Sequence, residues 1–287
     1  MKKILVATDF SERSDRALRR ATLLARRFGA SLAIVHVVDD DQPGRIVDSE
    51  RDKASALLRE LRSTVRTVDG IPCETRVVLA DPFAGIARAA EEDAPDLLVI
   101  GPHRRRLLRD VFVGTTAERT IRSAACPVLM VNAAPTGSYH HVMLTTDLSE
   151  GAEHAAMACA RLEIARGAKV SILHVFDAPV RHLAMSQTIK KDGLASHIED
   201  QRQEASRNLS AFVKSVGWHS AGQELRLAET SPAEEILSVA RERSADLVVV
   251  GTHGRGGLAK FFLGSVAEAV LRRADRDVLA VPPPKNT

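Results

Sequence analysis

Short apolar runs and longer amphipathic segments alternate along this chain. The runs Ile4–Thr8, Leu32–Val37, Glu74–Leu79, Leu97–Ile100 and Val128–Val131 are rich in β-branched residues and predict strands. Between them the period is helical. Within 11–29, Ala17, Leu18, Ala21, Leu24, Ala25 and Phe28 fall on one face. Ser11 reads as the N-cap of that helix, with Ser14 and Asp15 in its first turn. Continuously apolar strands joined by helices imply a parallel sheet covered on both faces. Such sheets bind ligands beyond the carboxyl ends of their strands, which places Asp9, Asp147 and the loops after Ile100 and Val250 on one edge.

The pattern occurs twice. Lys3–Ser11 (KILVATDFS) matches His141–Ser149 (HVMLTTDLS), and Ser31–Val37 matches Lys169–Val175, each pair 138 residues apart. Asp96–Gly101 matches Asp246–Gly251, and Gly114-Thr115 matches Gly264-Ser265, now 150 apart. The second copy thus carries about twelve extra residues between Val175 and Thr230. A repeat this long means duplicated domains, expected at 1–134 and 140–287, because solenoids repeat every 20–50 residues or so. The stretch from Asn132 to Tyr139, with its Ala-Ala-Pro-Thr-Gly-Ser, has a linker's composition.

Composition narrows the function. Lys and Arg number 40 against 37 Asp and Glu, a net charge of +3, too small to argue for nucleic acid as the main partner. One Trp and one Tyr also speak against a groove that stacks single-stranded bases. Cys73, Cys126 and Cys159 are isolated from one another, so no local zinc or dithiol motif is encoded, and each reads as a small buried residue. The first apolar run stops at Thr8-Asp9, short of a signal peptide, and no run approaches a membrane span. A soluble, cytoplasmic protein is expected.

The chemistry concentrates after Val250, in Gly251-Thr-His-Gly254-Arg-Gly-Gly-Leu-Ala-Lys-Phe-Phe-Leu-Gly264-Ser265. Glycines permit positive φ and close backbone approach. Gly264-Ser265 opens a helical stretch, so free N–H groups, a hydroxyl and the positive dipole end face an anion; Arg255 and Lys260 add charge. The internal Gly254-x-Gly256-x-x-Ala259 is not a dinucleotide fingerprint, which follows the first strand and opens a helix directly. Gly-x-x-x-x-Gly-Lys-Ser/Thr is absent. The plain alternative is a glycine-rich turn.

The spacing Gly-x2-Gly-x9-Gly-Ser after a strand, with Thr-Asp at the end of the first strand, resembles the universal stress protein family over both repeats. That resemblance implies two tandem Rossmann-like α/β domains of the adenine nucleotide α-hydrolase-like type, each a five-stranded parallel sheet flanked by helices. It implies ATP as ligand, to which Mg2+ on the phosphates would be added for any slow hydrolysis, and a stress-response role. It also implies that the two halves mimic the family's dimer as an intramolecular pseudo-dimer across their short last strands, Val128–Val131 and Val278–Val281, with a further homodimer left open. It sets Thr145 and Asp147 by the nucleoside and the backbone of Val175 by adenine. Val250, Gly251, Thr252, His253 and Gly254 then line the ribose and phosphates, with the charge of Arg255 beside them, and Gly264, Ser265 and Val266 close the triphosphate end. Asp147-Leu-Ser149 reads equally as a turn and N-cap.

The first copy departs from this pattern. Its counterpart positions are Asp9, Val37, Gly101, Arg104, Gly114 and Thr115, and Arg104 stands where the second copy has Gly254. If that position needs positive φ, a side chain costs about 1–2 kcal/mol and intrudes on the phosphate space. The first domain is therefore expected to bind ATP weakly or not at all. Arg104-Arg105-Arg106 with Arg109 reads as a solvated loop, or else as a site for another anion or an acidic partner. No nucleophile–base set sits near either loop, so catalysis beyond slow ATP hydrolysis is not expected. Adenylyl-transferring ligase motifs are missing after the first strands. The remaining alternative is an interaction scaffold working through the first domain or the 179–193 insertion.

Overall fold

The computed structural model describes residues 1–102, 116–177, 194–254 and 263–284. In the first half, strands β1 (Lys3–Ala7), β2 (Ser31–Val38), β3 (Cys73–Leu79), β4 (Leu97–Ile100) and β5 (Val128–Met130) alternate, among the described residues, with four helices. These are α1 (Glu12–Phe28), α2 (Gly44–Thr67), α3 (Pro82–Asp93) and α4 (Thr116–Ser123). The second half runs β6 (His141–Thr146), α5 (Glu150–Leu162), β7 (Lys169–Phe176), α6 (Leu194–Ser215) and β8 (Gly222–Leu227). It closes with α7 (Pro232–Glu242), β9 (Leu247–Gly251), α8 (Ser265–Arg273) and β10 (Asp277–Val281).

The strands form one sheet in the order β3-β2-β1-β4-β5-β10-β9-β6-β7-β8. Every neighbouring pair is parallel except β5 and β10, which run antiparallel with Leu279 opposite Leu129. Side chains alternate across the pleat. Ile4 and Val6 join the core under α1, α2, α5 and α6, and Leu5 and Ala7 the core under α3, α4, α7 and α8. Burial on both faces explains why these strands read as unbroken apolar runs.

Local signals act where the sequence puts them. Ser11 caps α1 by accepting from the Ser14 N–H, and Gly29 ends the helix with φ of 64°. Asp96 accepts from the Lys3 N–H at 3.0 Å, and Asp246 does the same for His141 at 3.0 Å. Each carboxylate thereby pins the start of a central strand. Cys73 and Cys159 are buried, and burial pushes their thiols up to about 11 and about 12. Cys126 departs from expectation, being only partly buried.

The seam between the halves is polar beneath its strands. Arg20 of α1 meets Asp277 of β10 at 3.1 Å. The same carboxylate accepts from the Tyr139 hydroxyl at 2.6 Å and from the Asn132 and Ala133 N–H groups at 3.0 and 3.1 Å. On the other face, Arg272 of α8 pairs with the buried Glu118 of α4 at 3.2 Å. Among the described residues no helix is long and apolar enough to cross a membrane.

Candidate functional site

A cavity of about 690 Å³ opens at the carboxyl edge of β6, β7 and β9, between α6 and the start of α8. Of the second-domain residues picked from sequence, Thr145, Asp147, Val175, Val250, Gly251, His253, Gly254, Gly264, Ser265 and Val266 all line it. Arg255 lies outside the described residues, as do Lys260 and, in the first half, Arg104, Gly114 and Thr115.

Asp147 follows β6 in a tight turn. Leu148 takes φ of 65°, and Asp147 Oδ1 accepts from the Ser149 N–H at 3.1 Å and hydroxyl at 2.5 Å. Ser149 in turn accepts from the Ala152 N–H and caps α5. The first half repeats this turn: Phe10 has φ of 57°, and Asp9 Oδ1 accepts from the Ser11 N–H at 3.0 Å. Burial pushes the Asp9 carboxyl up, but its hydrogen bonds from Ser11 and Ser14 hold it below the ordinary value. The turn is thus a structural device in both copies. In the second it leaves Asp147 Oδ2 directed at Gly254, where a β-carbon would stand 2.6 Å away. The Thr145 hydroxyl is committed elsewhere, donating to the Val249 carbonyl at 2.9 Å.

The glycines after β9 are small because neighbours are close. Gly254 does not have a positive φ; it is required by the approach of Asp147. Gly251 backs onto Gly151 at the start of α5, where a β-carbon on Gly151 would meet the His253 carbonyl oxygen at 2.5 Å. Thr252 differs from the expectation that it lines the ribose. It is 2% exposed, its N–H donates to the Val281 carbonyl at 2.9 Å, and its carbonyl accepts from the Gly264 N–H at 2.8 Å. Thr252 therefore ties β9 to β10 and sets where α8 begins.

Gly264 is the N-cap of α8 and supplies no side-chain cap. The first N–H groups of a helix have no intrahelical partner, and Gly264, Ser265, Val266 and Ala267 turn this end to the cavity. The start of α5, by contrast, is capped by the Ser149 side chain.

The opposite end was not legible in the sequence. There β7 contributes Phe176 and Asp177, and α6 contributes Gln201, Glu204, Ala205 and Asn208. These residues follow the insertion, and no motif marks them. Among the described lining residues the acidic groups are Asp147, Asp177 and Glu204, and no Lys or Arg is present. Among the described residues no cluster of His, Cys, Asp and Glu could hold a metal ion.

The first half uses the corresponding positions differently. Phe10, His36 and Val38 lie 138 residues before Leu148, His174 and Phe176, all three of which line the cavity. In the first half the Phe10 and His36 rings lie 4.4 Å apart, and Val38 packs with Val47 and Ala54 of α2 and with Phe10. Apolar side chains of α2 cover what the second half leaves open. Val37 packs against α3, where a β-carbon on Gly85 would be 2.6 Å from its Cγ1. Gly101 abuts the Arg13 carbonyl, 2.9 Å from its own hypothetical β-carbon.

The profile of the universal stress protein family matches this chain twice, over residues 1–132 and 138–282. A universal stress protein of Mycobacterium tuberculosis is 24% identical over 291 residues, covering 94% of each chain. Universal stress protein E of Salmonella typhi is 24% identical over 299 residues, covering 98% of this chain and 94% of that one. In fold, the chain is similar to a universal stress protein from Archaeoglobus fulgidus, with a TM-score of 0.71 at 19% identity over 98% of both chains. With the same α/β unit present twice and the family profile covering both copies, the chain belongs to the universal stress protein family.

Proposed function

We propose that this protein is a stress-response regulator or protectant that binds ATP in its second domain, 140–287, while its first domain, 1–134, binds none. The observation that carries the reading is the cavity between the uncapped start of α8 and the end of β7. The residues fit a nucleotide. Free N–H groups of α8 with the Ser265 hydroxyl suit phosphate, Gly254 lets a ligand pass close to the backbone beside Asp147, and Val175 and Phe176 offer an apolar wall. Magnesium enters this reading on the phosphates. The apolar packing of Phe10, Val38, Val47 and Ala54 supports the silence of the first domain. We read the antiparallel β5–β10 seam as a dimer of domains made within one chain.

Nucleotide content after gentle purification, with calorimetric titration of ATP into the wild type and Gly254→Arg, tests the reading. Bound adenine nucleotide and a variant weakened at least tenfold are expected. Equal affinity in the two proteins refutes the site.

A further inference from the structure

The exposed face of α6 carries three polar residues, Gln201, Glu204 and Asn208, spaced three and four apart so that they share one side of the helix. All three line the cavity. The next positions inward, Ala205 and Leu209, are buried, which fixes α6 against the core and holds the polar face to the opening. Among the described residues none of the three has a hydrogen-bond or ion-pair partner. Polar groups presented without partners to a concave surface are what a ligand contact requires.

The corresponding helix of the first half, α2, gives an internal contrast. It turns Val47 and Ala54 inward, and these pack on Phe10 and Val38. Where one copy seals the space with methyl groups, the other lines it with a carboxylate and two amides.

The position of α6 selects the part of the ligand. The α8 terminus lies by β9, and α6 lies by the end of β7; β6 runs between these strands, so they stand roughly 9–10 Å apart. Phosphates belong at α8. A carboxylate at the far end repels them and accepts from a neutral donor. Asp147 and Gly254 occupy the middle of the edge, where the sugar would lie, which leaves the base for α6.

Resting on the nucleotide reading above, we propose that Glu204, flanked by Gln201 and Asn208, is a specificity residue that accepts a hydrogen bond from the exocyclic amine of the bound base. Inosine triphosphate is the probe, because it keeps the ribose and phosphates of ATP, replaces the amine with a carbonyl and moves the donor of that edge to N1, away from the position assigned to Glu204. The wild type is expected to bind ATP on the order of tenfold more tightly than inosine triphosphate, the discrimination one charge-assisted hydrogen bond gives. Glu204→Ala should lose that preference, ATP falling to the level of inosine triphosphate and the latter moving less than about twofold. Glu204→Gln, which can donate to a carbonyl, should narrow or invert it. Glu204 is exposed, so both variants should fold, as circular dichroism would verify. An equal loss for both nucleotides, spared only with 2′-deoxy-ATP, moves the contact to the sugar and overturns the proposal. Unchanged ATP affinity in Glu204→Ala overturns it as well. If the wild type binds no nucleotide at all, the nucleotide reading itself fails and takes this proposal with it.

Discussion

Gly254 lies against Asp147 so closely that a β-carbon there would stand 2.6 Å from Oδ2. The other oxygen of that carboxylate is held by Ser149 through two hydrogen bonds. Asp147 therefore cannot swing aside without loosening the turn that caps α5. Gly254→Ala is expected to cost about 1 kcal/mol of stability, the worth of one such bond, and to weaken ATP binding at least tenfold. In an Asp147→Ala background the same change should cost almost nothing, a non-additivity of the size seen between residues in contact. Denaturant titration of the four proteins measures it. Strict additivity would show that the contact exerts no strain.

Gly151 makes a harder demand, since the atom in its way is backbone. A β-carbon would sit 2.5 Å from the His253 carbonyl oxygen, and no rotamer change relieves that. Gly151→Ala should destabilise the second domain by about 1–3 kcal/mol, the range for overpacking, and shift the loop after β9. The first half carries Arg13 at this position, a second departure beside Arg104. Restoring glycine at Arg104 alone is thus expected to leave the first domain without measurable ATP binding in calorimetry. Binding gained by Arg104→Gly alone would show that neither Arg13 nor the packing of Val47 matters.

Much of this was legible in the sequence, and the remainder was not for identifiable reasons. Strands buried on both faces announce themselves as apolar runs, and a repeat doubles every signal, so Leu97–Ile100 and its twin could be placed at once. The approach of Asp147 to Gly254 could not be read, because glycine serves close contact and positive φ alike. That Thr252 is buried and fastens the loop could not be read either, because neighbouring residues of a glycine-rich loop look alike whether they face a cavity or tie the loop down. Glu204 and Asn208 carry no motif. Only packing shows which side of α6 meets the cavity.

Asp96 links the fold to pH. Burial tends to raise its carboxyl, but the backbone N–H groups of Lys2 and Lys3 hold it below the ordinary 3.8. A carboxylate whose folded pKa is depressed stabilises the fold above its unfolded value and loses that contribution as pH falls through the folded one. Asp96→Asn should therefore flatten the acid limb of the stability curve below about pH 4. At neutral pH the cost should be about 1 kcal/mol or less, because the group is largely exposed and screened. Thermal melts between pH 3 and 7 measure it. An acid limb identical to that of the wild type would assign the loss to other carboxylates.

Arg20 and Asp277 are 257 residues apart in sequence and meet in the seam with side chains only 6% and 0% exposed. The repeat does not duplicate this pair. Ala158 stands 138 residues after Arg20, and Pro127 stands 150 before Asp277, so the second half has no counterpart of this pair. Arg20 also donates to the Gly137 carbonyl at 2.6 Å and lies over the Tyr139 ring at 4.1 Å, drawing in the linker. Removing one partner of a buried pair strands the other, and the expected cost of Arg20→Met or Asp277→Ala is about 3–5 kcal/mol. Asp277→Asn should cost less, because its amide oxygen can still accept from the Asn132 and Ala133 N–H groups. Burial raises the Asp277 carboxyl above 3.8 despite Tyr139 and Arg20. By linkage its contribution is full below 3.8 and declines as pH rises through the folded value, opposite in sign to Asp96. The deficit of Asp277→Ala should accordingly be larger at pH 3.5 than at pH 7. Hydrogen exchange at Leu129 and Leu279, read beside denaturant melts, would locate the loss at the seam. A deficit under about 1 kcal/mol at both pH values, with exchange unchanged, would mean that the β5–β10 strands hold the halves together without this pair.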